Sequence, residues 1–479
     1  MNSPLLTPSE MAEADRLTIA AGTPGVVLME RAGAAVAEAI RQRYPRQDVL
    51  ILCGPGNNGG DGYVAGRLLR LAGWPVRLAA LAAPKPGSDA AHHAALWQGP
   101  VEPVAEDMAL GDGIVLDALF GAGLTRPLDP PVRRLLARVE SQRLPLVAVD
   151  VPSGLDGATG EPLGWAPQAD LTVTFYRAKP GHWIMPGRAL CGRLIVADIG
   201  IDDAVLATIR PTIRLNDESD WRALLPRPGL ASHKFTRGHL VIRGGGTMTG
   251  AARLSARAAR RAGAGLVSLC VPENVAAIYA GDWPGTMVET TTWAEAIADR
   301  RRTAFLIGPG NGVDGGTRAA TLAALATGRP VVLDADALSC FSGDVKILVE
   351  AIAGPVILTP HVGEFARLFK GTGVVALAGR LAQARAAAAW LGATVVLKGA
   401  DTIIAHPSGQ AAVEGTAPPT LATAGSGDVL AGILAALLAQ GMPAFEAARA
   451  AVGLHAAAGR QAGRGAIAED LIEFLRSVI

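Results

Sequence analysis

The residues with the clearest chemical potential in the first half of the chain lie in Gly54–Gly62, which reads Gly-Pro-Gly-Asn-Asn-Gly-Gly-Asp-Gly. This stretch follows the apolar run Val49–Cys53. A strand that ends in a glycine-rich turn and leads into a helix offers converging N–H groups and the positive end of a helix dipole, which bind phosphate. The asparagine and aspartate oxygens also suit a cation. We therefore predict a site for a phosphate-bearing ligand, against the simpler alternative of a turn whose glycines serve only positive φ.

Three further polar groups follow apolar runs of the same region. They are Asp117 ahead of the loop Gly121–Pro127, Asp150 in Asp-Val-Pro-Ser-Gly-Leu-Asp, and Lys179 in Ala-Lys-Pro-Gly. Because the carboxyl ends of parallel strands meet at one edge of a sheet, these groups are expected to share a site. Taken alone, each aspartate fits a helix or turn cap equally well, and Lys179 fits a solvated surface lysine.

The second half has its own candidate site in Gly425-Ser426-Gly427-Asp428, at the start of a predicted helix. Glycine N–H groups at a helix start can hold the anion that develops in phosphoryl transfer, and the aspartate can accept a proton from an attacking hydroxyl. The alternative is a helix capped by Ser426, with Asp428 favouring the dipole. Four companion segments favour the chemical interpretation: Gly245–Ala252, Gly308–Gly312, Leu358–Phe365 and Lys398–Thr402.

These groups need a scaffold, and alternating apolar runs supply it. Predicted strands of the first half are Val49–Cys53, Val76–Leu81, Gly113–Leu119, Leu146–Asp150, Leu171–Phe175 and Arg193–Ala197. Those of the second half are Leu240–Ile242, Leu266–Val271, Ala304–Ile307, Val331–Leu333, Val356–Thr359, Thr394–Leu397 and Thr402–Ala405. Predicted helices are Ser9–Arg43, Gly62–Ala72, Pro131–Ser141 and Ala251–Ala262, with Ser426–Gln440 and Ala444–Gln461 closing the chain. Such alternation indicates mostly parallel sheets covered on both faces.

Length and composition narrow the class of protein. With 479 residues the chain is expected to hold two domains, divided near the proline-rich segment 211–235 into 1–215 and 216–479. The net charge of +1 without long like-charge runs excludes a nucleic-acid partner. The four scattered cysteines fit free thiols in a reducing compartment, and no apolar run is long enough for a membrane span. We therefore expect a cytoplasmic protein without a membrane partner.

The first half resembles the NAD(P)H-hydrate epimerases through the stretch 54–62, Asp-Ala-Leu-Phe-Gly at 117–121, and the motifs around Asp150 and Lys179. The resemblance covers approximately residues 1–215. It implies a Rossmann-like three-layer α/β fold, interconversion of R and S hydrates of NADH or NADPH, and a bound K⁺. It implies K⁺ ligands at Asn58, Asp117 and Ser153, and makes Asp150 the catalytic acid or base. It places the ligand on Asn57, Asn58, Gly59, Gly60 and Asp61, and on Gly121, Ala122, Gly123, Leu124, Thr125, Arg126 and Pro127.

The second half, from about residue 217, resembles the ADP/ATP-dependent NAD(P)H-hydrate dehydratases in all five segments. The resemblance implies a ribokinase-like α/β fold, phosphorylation of the hydrate hydroxyl and elimination of phosphate, with ADP as the expected nucleotide and Mg²⁺ on its phosphates. It implies hydrate contacts at Ala251, Gly310 and His361, and makes Asp428 the base on the hydroxyl. It implies nucleotide contacts at Lys398, Gly399, Ala400, Asp401, Thr402 and Gly427. One departure is Ser232–His239, where a two-residue spacer is expected to lengthen a loop.

Together the two halves predict a bifunctional repair enzyme that first epimerises the R hydrate and then dehydrates the S hydrate, giving NAD(P)H, AMP and phosphate. Its partners are then small molecules, namely the hydrates and ADP, and a homo-oligomer is expected. A first alternative is a ribokinase-class kinase of small molecules with an attached nucleotide-sensing domain. A second is a regulatory nucleotide-binding protein with degenerate sites.

Overall fold

The computed structural model describes residues 4–479, and the chain divides into two compact units. The first unit ends at Ile213 and the second covers Arg214–Ile479. No helix within the described residues combines the length and the hydropathy that a membrane span requires.

The first unit is built from strands and helices that alternate along the chain. Its strands are β1 (Pro4–Leu5), β2 (Val49–Cys53), β3 (Val76–Ala80), β4 (Val101–Pro103), β5 (Ile114–Ala118), β6 (Leu146–Val149), β7 (Leu171–Phe175) and β8 (Arg193–Ala197). Its α-helices are α1 (Pro8–Ala20), α2 (Gly25–Arg43), α3 (Asn57–Leu71), α4 (Asp89–Ala95), α5 (Pro130–Ser141), α6 (Gly187–Leu190) and α7 (Val205–Ile209), with a 3₁₀ turn at Pro180–His182. The predicted helical stretch Ser9–Arg43 is two helices, α1 and α2.

Strands β2–β8 form one parallel sheet in the order β4-β3-β2-β5-β6-β7-β8. This is the doubly wound 3-2-1-4-5-6 order of a Rossmann-like sheet with one further strand, so the predicted fold of the first unit is confirmed. Every residue of β2, β5, β6 and β7 is buried, as expected for central strands covered on both faces. The strand order reverses between β2 and β5, and the crevice at that switch point is where such sheets bind ligands.

Helix α3 begins earlier than the sequence predicts. Its first residue is Asn57 and not Gly62, so the asparagines and Asp61 belong to the first turns of the helix. None of the glycines in 54–62 has a φ in the left-handed region, which excludes the positive-φ alternative. They serve close packing instead, because a Cβ at Gly59 would lie 1.8 Å from the Gly54 carbonyl oxygen and one at Gly62 would lie 2.7 Å from Ala118 Cβ.

The second unit repeats the alternation. Its strands are β9 (Ile213–Leu215, at the division), β10 (His239–Arg243), β11 (Leu266–Cys270), β12 (Met287–Glu289), β13 (Ala304–Ile307), β14 (Val331–Leu333), β15 (Val356–Leu358), β16 (Thr394–Leu397), β17 (Ile403–Ala405) and β18 (Ala411–Val413). Strands β10–β18 are ordered β18-β17-β16-β15-β14-β13-β10-β11-β12. Strand β17 pairs antiparallel with both β16 and β18, and all other neighbouring pairs are parallel. The switch point of this sheet lies between β10 and β13. The segment Ser232–His239, which departs from the sequence pattern of the dehydratases, forms a largely exposed turn that leads into β10.

The helices of the second unit include one that forms the centre of its core. They are α8 (Glu218–Trp221), α9 (Thr249–Arg261), α10 (Ala276–Ala280), α11 (Trp293–Ala298), α12 (Gly315–Leu325), α13 (Asp336–Ser339), α14 (Val345–Ala351), α15 (Val362–Leu368), α16 (Arg380–Leu391), α17 (Ser426–Ala439), α18 (Ala444–Ala462) and α19 (Ala468–Val478), with 3₁₀ turns at Arg222–Leu224, Glu273–Val275, Gly373–Ala376 and Pro419–Leu421. Helix α17 is buried almost throughout. A third helix, α19, follows the two that were predicted to close the chain, so that prediction was wrong.

The packing of α3 leads to a first prediction. Gly59→Ala is expected to destabilise the first unit by about 3 kcal/mol, because the new methyl would overlap a backbone oxygen that cannot move aside. The matched control is Gly123→Ala, where nothing lies within 4 Å and the backbone is not left-handed, so about 0.5 kcal/mol or less is expected. Denaturant unfolding of both variants measures the difference, and equal stability would contradict the packing role of Gly59.

Candidate functional sites

A cavity of about 550 Å³ lies at the switch point of the first unit. The end of β2 and the start of α3 line one side of it, and the loop after β5 lines another. Predicted site residues that reach the cavity are Asn57, Asn58, Asp61, Gly121, Ala122, Gly123, Leu124 and Asp150. Gly59, Gly60, Thr125, Arg126 and Pro127 are not among its lining residues. Both glycines lie inside the packed helix, which leaves the N-terminal amides of α3 to face the cavity.

Asp150 occupies a constrained position directly after β6. Its φ of 66° is left-handed, which is uncommon for a residue with a side chain. Lys179 Nζ donates to Asp150 Oδ1 at 2.6 Å, and Thr174 Oγ1 donates to the same atom at 2.9 Å. The Ala122 amide donates to Oδ2 at 2.8 Å. Burial opposes ionisation, but the charge of Lys179 and these hydrogen bonds outweigh it and lower the pKa of Asp150 to about 2. Asp150 is thus a fixed anion at neutral pH.

Lys179 is a buried member of this site and not a solvated surface lysine. Only 2% of the residue is exposed, and Nζ also donates to Thr174 Oγ1 at 2.8 Å. The backbone around it is held by His182, whose Nδ1 accepts from the Lys179 amide and whose Nε2 donates to the Asp150 carbonyl. Burial lowers the pKa of His182 to about 4, so this ring is neutral and locks both residues in place.

Three further carboxyl groups reach the same cavity, Asp61 from α3, Asp15 from α1 and Asp89 from α4. Burial, with the charges of Asp150 and Asp15, raises the pKa of Asp61 well above its usual range. Burial also raises the pKa of Asp15 to about 6. Sequence reasoning missed Asp15, because it lies in a helix whose spacing looked purely structural and far from any motif.

The predicted cation ligands lie beside the cavity. Asp117 is fully buried, and Ser153 donates to it twice, from Oγ at 2.6 Å and from its amide at 2.8 Å. Burial raises the pKa of Asp117, and no cationic side chain of the described residues offsets its charge. Asn58 Nδ2 is buried without a hydrogen-bond partner within residues 4–479. A buried carboxylate surrounded by hydroxyl and amide oxygens fits a monovalent cation.

In the second unit, the loops after β10 and β13 meet at the switch point. A Cβ at Gly245 would lie 1.6 Å from the Gly310 carbonyl oxygen, so the two loops approach as closely as glycine allows. Gly310 has φ 66° and its own Cβ would lie 2.3 Å from the Met248 carbonyl oxygen. Ala251 lies in the first turn of α9, next to this junction. Gly310 therefore packs against the N-cap residue of α9, in whose first turn Ala251 lies, so the two predicted substrate residues lie on neighbouring segments.

Charged residues gather where the strands β14 and β16 end and α17 begins. Lys398 Nζ donates to Asp334 Oδ1 at 2.7 Å, and Thr359 Oγ1 donates to the same oxygen at 2.7 Å. A Cβ at Gly427 would lie 3.6 Å from Lys398 Nζ, which places the lysine beside the start of α17. Burial and the charge of Asp334 raise the pKa of Asp428 to about 6. Asp334 follows a strand like the predicted residues, and that signal was overlooked.

The start of α17 differs from the simple cap that was considered. The N-cap residue is Gly425, with φ 85°, and not Ser426. No side chain forms a capping hydrogen bond at this helix start. The Ser426 hydroxyl instead lies 3.1 Å from His455 Nε2 in the interior.

Two other predicted residues have structural roles that the structure makes visible. His361 Nδ1 accepts from the amides of Gly363 and Glu364 and so caps α15, while the ring remains exposed beside the site. The Asp401 side chain is fully buried and forms an ion pair with Arg380. That pairing stabilises the turn 398–402 and leaves its backbone, rather than the Asp401 carboxylate, for a ligand.

Comparison with known proteins covers both units. Residues 25–181 match the family described as YjeF-related protein N-terminus, and residues 239–475 match the NAD(P)H-hydrate dehydratase family. Proteins named bifunctional NAD(P)H-hydrate repair enzyme Nnr are similar over the whole chain. The one from Moorella thermoacetica is 37% identical and the one from Salinibacter ruber is 36% identical, each alignment covering 99% of this chain and 96% of the relative. A solved ADP/ATP-dependent NAD(P)H-hydrate dehydratase from Bacillus subtilis, co-crystallized with ATP/Mg²⁺, is 32% identical with a TM-score of 0.49, covering 55% of this chain and 96% of that chain.

The Asp150–Lys179 pair leads to a second prediction. Lys179→Met is expected to destabilise the first unit by about 3–5 kcal/mol at pH 7, because it leaves a desolvated carboxylate unpaired. Without the lysine, burial is expected to hold the pKa of Asp150 in the folded variant above its pKa in the unfolded chain. The loss of stability therefore becomes smaller as the pH falls towards 4, because Asp150 is then protonated. Urea unfolding at pH 7 and at pH 4.5 measures this change.

The control for that experiment is the double variant Asp150→Asn/Lys179→Met, which removes both charges. Its loss of stability relative to the native protein is expected to be smaller and nearly the same at both pH values. If Lys179→Met lost the same stability at both pH values, the broken ion pair could not be the cause of the loss.

Proposed function

The chain belongs to the bifunctional NAD(P)H-hydrate repair enzymes, and from that premise we propose how its residues divide the work. The enzyme epimerises the R and S hydrates of NADH and NADPH and dehydrates the S hydrate at the expense of a nucleotide. The first unit is Rossmann-like and the second is ribokinase-like, as predicted. We assign epimerisation to residues 1–215 and dehydration to residues 216–479.

The alternative of a small-molecule kinase with a sensing domain is set aside, because similarity to repair enzymes extends over both units. The observation that carries our assignment of the epimerase site is the cavity at the first switch point, with the α3 N-terminus and Asp150 in its wall. The amides of Asn57 and Asn58 begin α3 and offer a phosphate of the hydrate the positive end of a helix. Residues 121–124 of the loop after β5 line the cavity on the opposite side.

Asp150 and Lys179 are proposed to act on the reacting carbon as a fixed pair. The carboxylate is predicted to contact the substrate and to be required for turnover. The ammonium beside it stabilises the hydroxyl oxygen as negative charge develops there. Because Thr174, Ala122 and His182 hold the pair, its orientation is set before substrate arrives.

A K⁺ ion is proposed to be bound by Asn58, Asp117 and Ser153. The ion supplies a positive charge that offsets the buried Asp117 carboxylate next to the phosphate loop. Asp117 is fully buried and has hydrogen bonds from Ser153 and Leu119 but no cationic side chain beside it within residues 4–479, which supports this assignment.

For the dehydratase, we propose that the S hydrate lies over Ala251, Gly310 and His361, at the second switch point. The nucleotide, expected to be ADP with Mg²⁺ on its phosphates, is held by residues 398–402 and Gly427. Asp428, with a pKa of about 6, accepts the proton of the substrate hydroxyl as that oxygen attacks the terminal phosphate. Lys398 and the first amides of α17 stabilise the charge on the transferring group. Elimination of phosphate then restores the reduced nicotinamide.

We also infer a cytoplasmic enzyme, because all four cysteines are unpaired, and we retain the homo-oligomer as an expectation. Its partners are the small-molecule hydrates and the nucleotide, with neither nucleic acid nor membrane.

A third prediction uses two aspartates of one chain. Asp150→Asn is expected to lower epimerisation by about 10²–10⁴-fold and to leave dehydration of the S hydrate unchanged. Asp428→Asn is expected to abolish recovery of both epimers. The measurement is the return of reduced-nicotinamide absorbance from pure R hydrate or pure S hydrate with Mg²⁺, K⁺ and either ADP or ATP. Retained dehydration of the S hydrate by Asp150→Asn controls for the second unit, and thermal unfolding of both variants controls for folding. Full epimerisation by Asp150→Asn would remove Asp150 from the reaction.

A fourth prediction concerns the cation. K⁺ is expected to raise the unfolding temperature of the first unit relative to tetramethylammonium at equal ionic strength, because only the smaller ion fits between oxygen ligands. Asp117→Asn, which keeps the shape of the side chain, is expected to lose this difference. Thermal unfolding gives a readout that does not depend on turnover, and an equal response of both proteins to K⁺ would rule out Asp117 as a ligand.

A further inference from the structure

Four carboxyl groups line the cavity of the first unit: Asp15 from α1, Asp61 from α3, Asp89 from α4 and Asp150 from the end of β6. Both oxygens of Asp150 accept protein hydrogen bonds, from Lys179, Thr174 and Ala122. The other three carboxyl groups accept no side-chain or backbone hydrogen bond from any residue that the structure describes. Of these three, Asp15 and Asp61 face the charges of Asp150 and Lys179, whereas Asp89 does not. Asp15 and Asp61 are therefore the unpartnered carboxyl groups beside the Asp150–Lys179 pair.

Asp61 is buried although its carboxyl group has no hydrogen-bond partner within the described residues, and this combination indicates a contact with a ligand. The residue is 8% exposed, and desolvation without a partner is costly for a carboxyl group. Such a group is tolerated where a ligand later supplies the partner. Asp15 is only half-buried and lies nearer the solvent, so it can exchange protons with water.

The charges around the cavity separate the three groups by protonation state. The charges facing Asp15 come from Lys179 and Asp150, and the charges facing Asp61 come from Asp150, Asp15 and Lys179. Burial and the like charges of Asp150 and Asp15 raise the pKa of Asp61 and favour its protonated form, whereas at neutral pH Asp15 is mostly ionised with a pKa of about 6 and Asp150 is ionised with a pKa of about 2. A base is most effective when its pKa lies near the working pH, so Asp150 is the weakest base of the three.

We propose that Asp15 is the general base and Asp61 the general acid of the epimerisation, in place of the acid/base role that the resemblance implies for Asp150, which with Lys179 holds the substrate. This assignment rests on the proposed function of the first unit. It gives proton transfer to the two unpartnered carboxyl groups that face the Asp150–Lys179 pair. Two carboxyl groups whose environments favour different protonation states can supply both roles that the reaction requires.

The proposed step balances as follows. Asp15 removes the hydroxyl proton at the hydrated carbon, the C–O bond becomes a carbonyl, and the bond from that carbon to the ring nitrogen breaks. The electron pair of the broken bond goes to the nitrogen, which takes the proton of Asp61. After rotation, the nitrogen attacks the other face of the carbonyl and returns its proton to Asp61, while the oxygen recovers its proton from Asp15.

The test compares Asp15→Asn and Asp61→Asn in the full-length enzyme with pure R hydrate, subtracting the spontaneous rate. Each variant is expected to lose about 10²-fold or more in kcat for epimerisation. In the native enzyme, kcat/KM for epimerisation is expected to fall as the pH drops below about 6, where Asp15 becomes protonated. In Asp15→Asn, the residual kcat/KM is expected not to show this decrease at acid pH (the acid limb of the pH profile).

Folding is controlled within the same molecule. Both variants are expected to keep full dehydration of the S hydrate and an unchanged or raised unfolding temperature, since each removes a desolvated carboxyl group without a partner. Full epimerisation by either variant, or an acid limb that survives in Asp15→Asn, would overturn the proposal while leaving the proposed function intact. Failure of the native enzyme to epimerise would instead overturn the proposed function.

Discussion

A parallel sheet covered on both faces can present polar groups at only one kind of place, the edge where its strands end. In both units the central strands are mostly apolar and buried, so most charged residues of the sites lie at the ends of the strands or directly after them. The reversal of strand order then separates two neighbouring loops and opens a crevice between them. Asp117 and Thr174 lie within the last residues of β5 and β7, and most of the other groups discussed for the two sites lie in the loops and helix starts that follow the strands.

The two sites use buried charge in the same way. In each, a lysine lies against an aspartate at the sheet edge, Lys179 with Asp150 and Lys398 with Asp334. A neighbouring carboxyl group that lacks such a partner then has its pKa raised by desolvation, Asp61 in the first unit and Asp428 in the second. The ion pair fixes geometry, and the unpaired group is the one suited to exchange protons.

Much of this arrangement was predictable because apolar runs and the residues that end them are local signals. Strands such as β2, β7 and β8 occur at the predicted residues, and both sites lie on motifs read from the chain. The start of α3 was misplaced because glycine is a poor helix former by propensity, whereas here close packing selects it. Asp15 was missed, and Lys179 could not be told apart from a surface lysine, for a different reason: burial and pairing arise from contacts between distant segments, which no local pattern encodes.

Helix α17 places Asp428 at the entrance of the most deeply buried element of the second unit. A Cβ at its Gly432 would lie 2.2 Å from the Ser255 carbonyl oxygen of α9, so this helix has no freedom to shift along its neighbour. A change that repacked this core would therefore also move Asp428, the residue proposed as the base, whereas the loops around it can change without shifting it.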